Sequence, residues 1–455
     1  MPERFSRSSV QLDVAPGESP SREVPEPDTP FQLLVAADFS GRVNRGLHAP
    51  LAGRRPVRVD CDNLDDVMSA MGVALNLPEG TLRFHELEDF HPDRIYQKAE
   101  AFRQLEDSRD RPPREAPPES KPATPPVRRA EPKPGMSLLD QMMEDEAEAA
   151  PAPPPVRASG TLSAFIEQAV APHLVKSDPR KEQWSTQVDA MATEKMRAVL
   201  HHPEFQAVEA AWRGVQLLVR RLDPDQELRI YLLDTTLAEV LGDPQAFVEC
   251  LSARPDPWAL IAGNFAFGQS PQEVADLRKL GRIAAHLGAP FLAEGQPPSE
   301  AELSPDWIAL RKSAEARWIG LALPRIILRL PYGKDTSPLD SFAFEEMPQS
   351  IHAHYLWGNP AFACASIVGE AFRNGGWNLR PGCGQIDGLP LHVYMEDGEA
   401  VAKPCAEVLL TEHDAEFLLD NGLMPVASIK SRDSVLVLRF QSIADPVAAL
   451  AGRWA

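Results

Sequence analysis

The sequence predicts a mixed α/β (α+β) fold, with mixed sheets flanked by helices in two folded regions joined by a disordered Pro-rich linker. Three observations carry that reading. Short β-rich apolar runs alternate with amphipathic stretches of helical period. At 455 residues the chain exceeds what one hydrophobic core usually supports. Its 45 prolines, about twice the usual share, point to an unfolded stretch between ordered parts.

Residues 1–29 read as a flexible arm. In "SVQLDV", Val10, Leu12 and Val14 alternate onto one face before the chain enters "APGESPSREVPEPD". A lone strand on a tether can be donated to another chain's sheet, or it can pair within its own domain. Residues 30–111 read as a small α/β unit: a strand in "PFQLLVAADFSG", a strand and helix in "RPVRVDCDNLDDVMSAM", and another such pair from Thr81. Residues 112–158 are too poor in large apolar residues to fold and read as a semi-extended linker. Within it "MSLLDQMMEDEAEA" places Met136, Leu139, Met142 and Met143 on one side of a short helix, either a docking element or a chance pattern. Residues 159–455 read as a larger mixed α/β region, with strands expected at "LRIYLLD", "PWALIAGNF", "RWIGLALP", "AEVLLT" and "SVLVLRF". No internal repeat appears.

The most regular helix is "HHPEFQAVEAAWRGVQLLVRRL". Phe205, Val208, Trp212, Val215 and Val219 line one face, Pro203 suits the first turn, and Glu204 and Glu209 precede Arg213, Arg220 and Arg221. Gly214 in mid-helix costs about 1 kcal/mol against alanine, so a close packing contact is expected there. Phe205, Trp212, Arg213 and Gly214 are thus candidates for core helix packing.

A search for chemistry returns little. His201 and His202 precede that helix, their side chains diverge, and no third ligand for zinc stands nearby. "PYGKDT" lacks the first glycine and the final serine or threonine of a phosphate loop. His352 and His354 would share a face if extended, again without a third ligand, and the adjacent Glu345 and Glu346 should point apart. Tight turns account for the glycines of "NGGWNLRPGCGQIDGLP". No catalytic, metal or cofactor site is assigned, and no enzyme activity is expected. A net charge of -20 and a pI near 5.0 argue against nucleic acid as a partner. Five cysteines without a CxxC, no signal peptide and no run of about 18 apolar residues suggest a cytoplasmic protein with no membrane partner.

Several segments, taken together and in order, resemble the contractile sheath subunits of bacterial type VI secretion. "LHHPEFQAVEAAWRGVQLLV", "APFLAEG", "WIALRKSAEARWIGLALPRIILRLPYG", "FAFEE", "HYLWGNPAFA" and "GLPLHVY" resemble the large (TssC/VipB/ImpC-like) subunit. "FQLLVAADFSGR", "RVDCDNLDDVM" and "LRFHELEDFHPDRI" resemble the small (TssB/VipA/ImpB-like) one, so the chain looks like a natural fusion of two sheath-type domains. The resemblance implies a structural protein that packs around an inner tube and drives its ejection on contraction. It also implies contacts with other sheath subunits or itself, the tube protein, the baseplate and an AAA+ unfoldase. Strand exchange maps onto Val10, Leu12 and Val14, and the unfoldase-binding helix onto Leu138, Leu139 and Met142. By the same resemblance, roughly a hundred residues expected after "SVLVLRFQS" are replaced by an end at Ala455. That departure makes a non-polymerising accessory, docked on or capping the sheath or baseplate, the alternative expectation.

Overall fold

The computed structural model describes residues 24–109, 179–298 and 303–454. Val10, Leu12 and Val14 of the arm, and Met136, Leu138, Leu139, Met142 and Met143 of the Pro-rich stretch, lie outside the described residues. The described residues fall into two units, one made of residues up to Leu105 together with those from Asp189 onward, the other of residues 106–109 and 179–188.

Four described strands precede the Pro-rich stretch: β1 (Phe31–Ala37), β2 (Val57–Val59), β3 (Val73–Leu77) and β4 (Gly80–Phe84). After it come β5 (Leu228–Asp234), β6 (Trp258–Phe267), β7 (Phe291–Gly295), β8 (Ile319–Leu323), β9 (Ile326–Ile327) and β10 (Trp357–Gly358). The last are β11 (Gly384–Ile386), β12 (Val393–Glu396), β13 (Glu399–Ala402), β14 (Met424–Ser428) and β15 (Val435–Val437). The helices are α1 (Arg42–Arg45), α2 (Leu64–Met71), α3 (Pro92–Lys98), α4 (Glu100–Arg109), α5 (Pro179–Leu200) and α6 (Pro203–Leu222). They continue with α7 (Leu237–Gly242), α8 (Pro244–Ser252), α9 (Pro271–Leu287), α10 (Pro305–Arg311), α11 (Pro360–Gly375) and α12 (Glu412–Asp420).

Nine strands form one mixed sheet in the order β11-β15-β14-β8-β7-β6-β1-β5-β2. From β14 to β5 the neighbours run parallel, while β2, β15 and β11 pair antiparallel at the two margins. β1 sits between β5 and β6, with Leu33 in register with Ile230 on one side and Leu260 on the other. A strand covered on both faces reads as a continuous apolar run, and all seven residues of β1 are buried. The regions that resemble two separate subunits therefore share one sheet: β1 and β2 extend the large region's strands, while β3–β4, β9–β10 and β12–β13 form separate two-stranded pairs.

Helices cover both faces. Leu34, Tyr231, Ile261, Phe291 and Leu321 meet Phe247 of α8, Leu277 and Leu280 of α9, and Leu310 of α10 in one core. On the opposite face Phe31 packs on Phe372 of α11 at a centroid distance of 4.8 Å. The helix starts follow a local rule. His202, Asp243, Ser270, Ser304 and Asn359 each cap a backbone N–H and are each followed by a proline at the first helical position, where no donor is missed. α9 also ends on Gly288 at φ 66°, the left-handed geometry that suits glycine. In the second unit the Trp184 indole donates to the Ser108 carbonyl at 2.8 Å and Arg109 to the Ser185 hydroxyl at 3.1 Å.

Two sequence expectations change. "AEVLLT" forms no strand; Ala406 makes a single bridge to Ile326, and Val408 and Leu409 are exposed. Its Glu407 pairs instead with Arg325, so the run lies outside the sheet. His352 and His354 belong to a 3-10 turn, His352–His354, rather than an extended strand, which removes the shared face.

Candidate assembly site

The best organised polar chemistry of the first unit is ionic, and it ties distant parts of the chain together. One cluster joins the segment before the Pro-rich stretch to the segment after it. Asp234, at the end of β5, accepts from the Phe39 and Ser40 N–H groups at 2.9 and 3.0 Å and from the Ser40 hydroxyl at 2.8 Å. Arg42 bridges Asp234 at 3.3 Å and Glu239 at 2.9 Å, and Arg54 reaches Glu239 at 2.6 Å. Burial alone would raise the Glu239 carboxyl. Arg54, the Thr236 N–H and Arg42 instead hold it down to about 2. Thr236 and Glu239 also close a capping box at the start of α7, so the acid anchors a helix and a seam together. Aromatic contacts extend the seam: the Trp212 indole donates to the Phe39 carbonyl at 2.9 Å, and Phe205 meets Phe84 and Phe90 edge-on at 5.9 and 5.7 Å.

A second cluster surrounds Arg329, which is buried. Its guanidinium contacts Glu209 of α6 at 2.8 Å and takes both Glu346 oxygens at 2.8 and 3.1 Å. Glu209 also accepts from Arg213 at 2.7 Å, and Arg213 donates to the Tyr332 hydroxyl at 3.1 Å. Glu346 accepts the Tyr332 N–H at 2.7 Å. Burial would raise Glu346, yet Arg329, His201 and the Tyr332 N–H draw it down to about 2. Burial pushes the Tyr332 phenol up to about 12. Desolvating such groups is costly, so their pairing mainly fixes geometry, and loss of one partner exposes the full cost. The cluster locks α6 onto the loops that hold "LPYG" and "FEE".

The predicted residues fall out as follows. Phe205 and Trp212 are fully buried, and Gly214 faces Phe362 of α11. Arg213 serves the Arg329 cluster. His202 caps α6, its ring nitrogen accepting the Glu204 N–H at 3.3 Å. His201 stands 3.5 Å from Glu346 and stacks on His354 with ring centroids 3.8 Å apart. His352 contacts Lys403 at 3.0 Å. Among the described residues no group of three or more His, Cys, Asp or Glu is arranged to hold a metal, and no helix is long and apolar enough to cross a membrane. Glu345 and Glu346 do diverge, Glu346 inward to Arg329 and Glu345 onto the Lys334 N–H at 2.9 Å. Sequence reasoning missed Arg42, Asp234, Glu239 and Arg329, and named Glu346 without its partner Arg329. The available signal was Glu209, an acid within the apolar stripe of α6, which calls for a buried cation.

A nine-stranded sheet that takes one of its interior strands from a remote segment, stitched by buried ion pairs, defines a single interlocked α/β unit. The chain belongs to the sheath family VipB, described as "EvpB/VC_A0108, tail sheath N-terminal domain", which matches residues 182–299 and 298–444. Residues 3–111 match the family "Type VI secretion system, VipA, VC_A0107 or Hcp2". Small- and large-subunit sheath regions are therefore fused in one polypeptide. The chain is 30% identical over 300 residues to type VI secretion system sheath protein TssC1 of Pseudomonas aeruginosa, a match that covers 57% of this chain and 60% of that relative.

Proposed function

We propose that the chain is a structural component of the type VI contractile sheath, supplying small- and large-subunit roles from one polypeptide in the cytoplasm. In this reading residues 30–111 and 159–455 are the two sheath-like regions, 112–158 is their linker, and contraction of the assembled sheath ejects an inner tube. The observation that supports it is β1: a strand from the small-subunit-like segment lies between two strands of the large-subunit-like segment. A unit interlocked in this way moves as one body, as a protomer in a helical stack must. Val10, Leu12 and Val14 are proposed to add a strand to a neighbouring protomer. Leu138, Leu139 and Met142 are proposed to face the unfoldase, with the tube protein and baseplate as further partners.

Negative-stain electron microscopy of the full chain, alone and with neighbouring secretion components, tests the reading. Tubular assemblies that contain the chain support it. A discrete, non-polymerising complex in every mixture would replace it with the accessory role. For the linker, L138D/L139D should abolish pull-down of the secretion unfoldase, and undiminished capture would retire that assignment.

A further inference from the structure

The carboxyl ends of the parallel strands open onto a crevice that neither ion cluster uses. Two adjoining hollows, of about 340 and 410 Å³, share Pro203, Ala207, Asn264 and Phe265 as walls. One is lined largely by apolar groups such as Leu75, Val208 and Leu237, and the other reaches Glu294, Arg325 and Glu407. In sheets of parallel strands, ligands bind beyond the carboxyl ends. A concave apolar wall with a few converging polar groups is the usual form of such a site.

Glu294 is the odd charge in this crevice. Its side chain is 20% exposed, and Arg325, its nearest cation, stands 4.0 Å away. That guanidinium is committed to Glu407, which it grips at 2.8 and 2.6 Å. Among the described residues, no donor hydrogen-bonds the Glu294 carboxylate. Two carboxylates thus share one guanidinium, and burial pushes Glu294 up to about 7 against the pull of Arg325, with Glu407 adding repulsion. Beyond Glu407 lie His352 at 3.9 Å and, next to it, Lys403.

We propose that the crevice docks an apolar segment of a different protein carrying one Lys or Arg. The cation closes on Glu294 while apolar side chains lie against Ala207 and Phe265. Charge complementarity decides the occupant. A neutral or acidic segment would seal beneath it a carboxylate that shares its one nearby cation with Glu407.

The test selects random displayed peptides on the immobilised full chain at pH 8 and titrates the enriched ones, as synthetic peptides, by fluorescence anisotropy. Enriched peptides should carry Lys or Arg among Leu, Ile, Val or Phe. They should bind E294Q about tenfold more weakly and lose binding to A207W. Replacing the peptide's own basic residue with norleucine should cost the wild-type complex about tenfold, a readout that needs no variant protein. The proposal is overturned by an absence of enrichment over a blank surface, by peptides without a cation, or by equal binding to E294Q. A wild-type dimer that E294Q dissociates in sedimentation would also overturn it, because the occupant would then be a second copy.

Discussion

Phe362 rests its ring directly on Gly214, so that a Cβ at position 214 would stand 2.5 Å from Cε2 and 2.6 Å from Cδ2. The same helix pair repeats the device at its other end, where a Cβ on Gly369 of α11 would meet Leu222 of α6 at 2.7 Å. Two glycines, one on each helix, let α6 and α11 approach more closely than any side chain would allow.

G214A should therefore destabilise the protein although alanine is the better helix former. Helix propensity favours it by about 1 kcal/mol, but overpacking of a tight contact costs about 1–3 kcal/mol and has a large, enclosed ring to displace. Urea unfolding should show a lower midpoint for G214A, with partial recovery in G214A/F362L. A midpoint at or above wild type would mean that the helices separate freely.

Arg329 offers a larger effect. R329M leaves Glu209 and Glu346 as two enclosed carboxylates without their shared cation, and loss of one partner of a buried pair costs about 3–5 kcal/mol. The triple change E209Q/R329M/E346Q removes the stranded charges and should recover part of the loss in the same denaturation assay. If R329M alone matches wild type, water reaches the cluster.

The acids predict opposite pH behaviour in two windows. Glu239 and Glu346 are held near 2 against an ordinary value of 4.5, so their stabilisation is complete above 4.5 and is lost as pH falls toward 2. Glu294, raised to about 7 from 4.5, works the other way: stability is full below 4.5 and declines as pH rises through 7. E294Q should thus be more stable than wild type at pH 8, by about 1–3 kcal/mol, and indistinguishable from it at pH 4. E239Q should show its deficit at pH 7 and lose most of it by pH 2. Thermal melts across pH 2–8 check both signs.

A chain cut within residues 112–158 by an inserted protease site should remain one particle. β1 is paired on both sides and Asp234 and Glu239 hold Ser40, Arg42 and Arg54, so the two fragments are expected to co-elute in gel filtration without denaturant. Separate peaks would show that the shared sheet does not survive without chain continuity.

Much of this was legible locally. The 3-4-3-4 stripe of α6 and the polar-residue-plus-proline starts depend on neighbours a few residues apart, and sequence reports such spacing directly. "FQLLVAA" was readable as a strand, but its location was not: parallel pairing leaves no turn between partners, and Leu33 and Ile230 are matched across about 200 positions. The ion clusters were hidden for the same reason. Glu209 and Arg329 meet across 120 positions, and a charged residue carries no mark of the one it will face. "AEVLLT" shows the converse, since its apolar letters suggested burial where Pro404 and the Glu407–Arg325 pair leave only one bridge to Ile326.

The position of β1 also sets an order of events during synthesis. Its pairing partners begin at Leu228 and Trp258, about 200 residues after it emerges, which at about 5–20 residues per second is a wait of tens of seconds. Until then a strand of six apolar residues and Gln32, with two unpaired edges, must be kept from other chains. The sheet can close around its first strand only after its neighbours on both sides have left the ribosome, so production of this protein depends on whatever shields that strand in the interval.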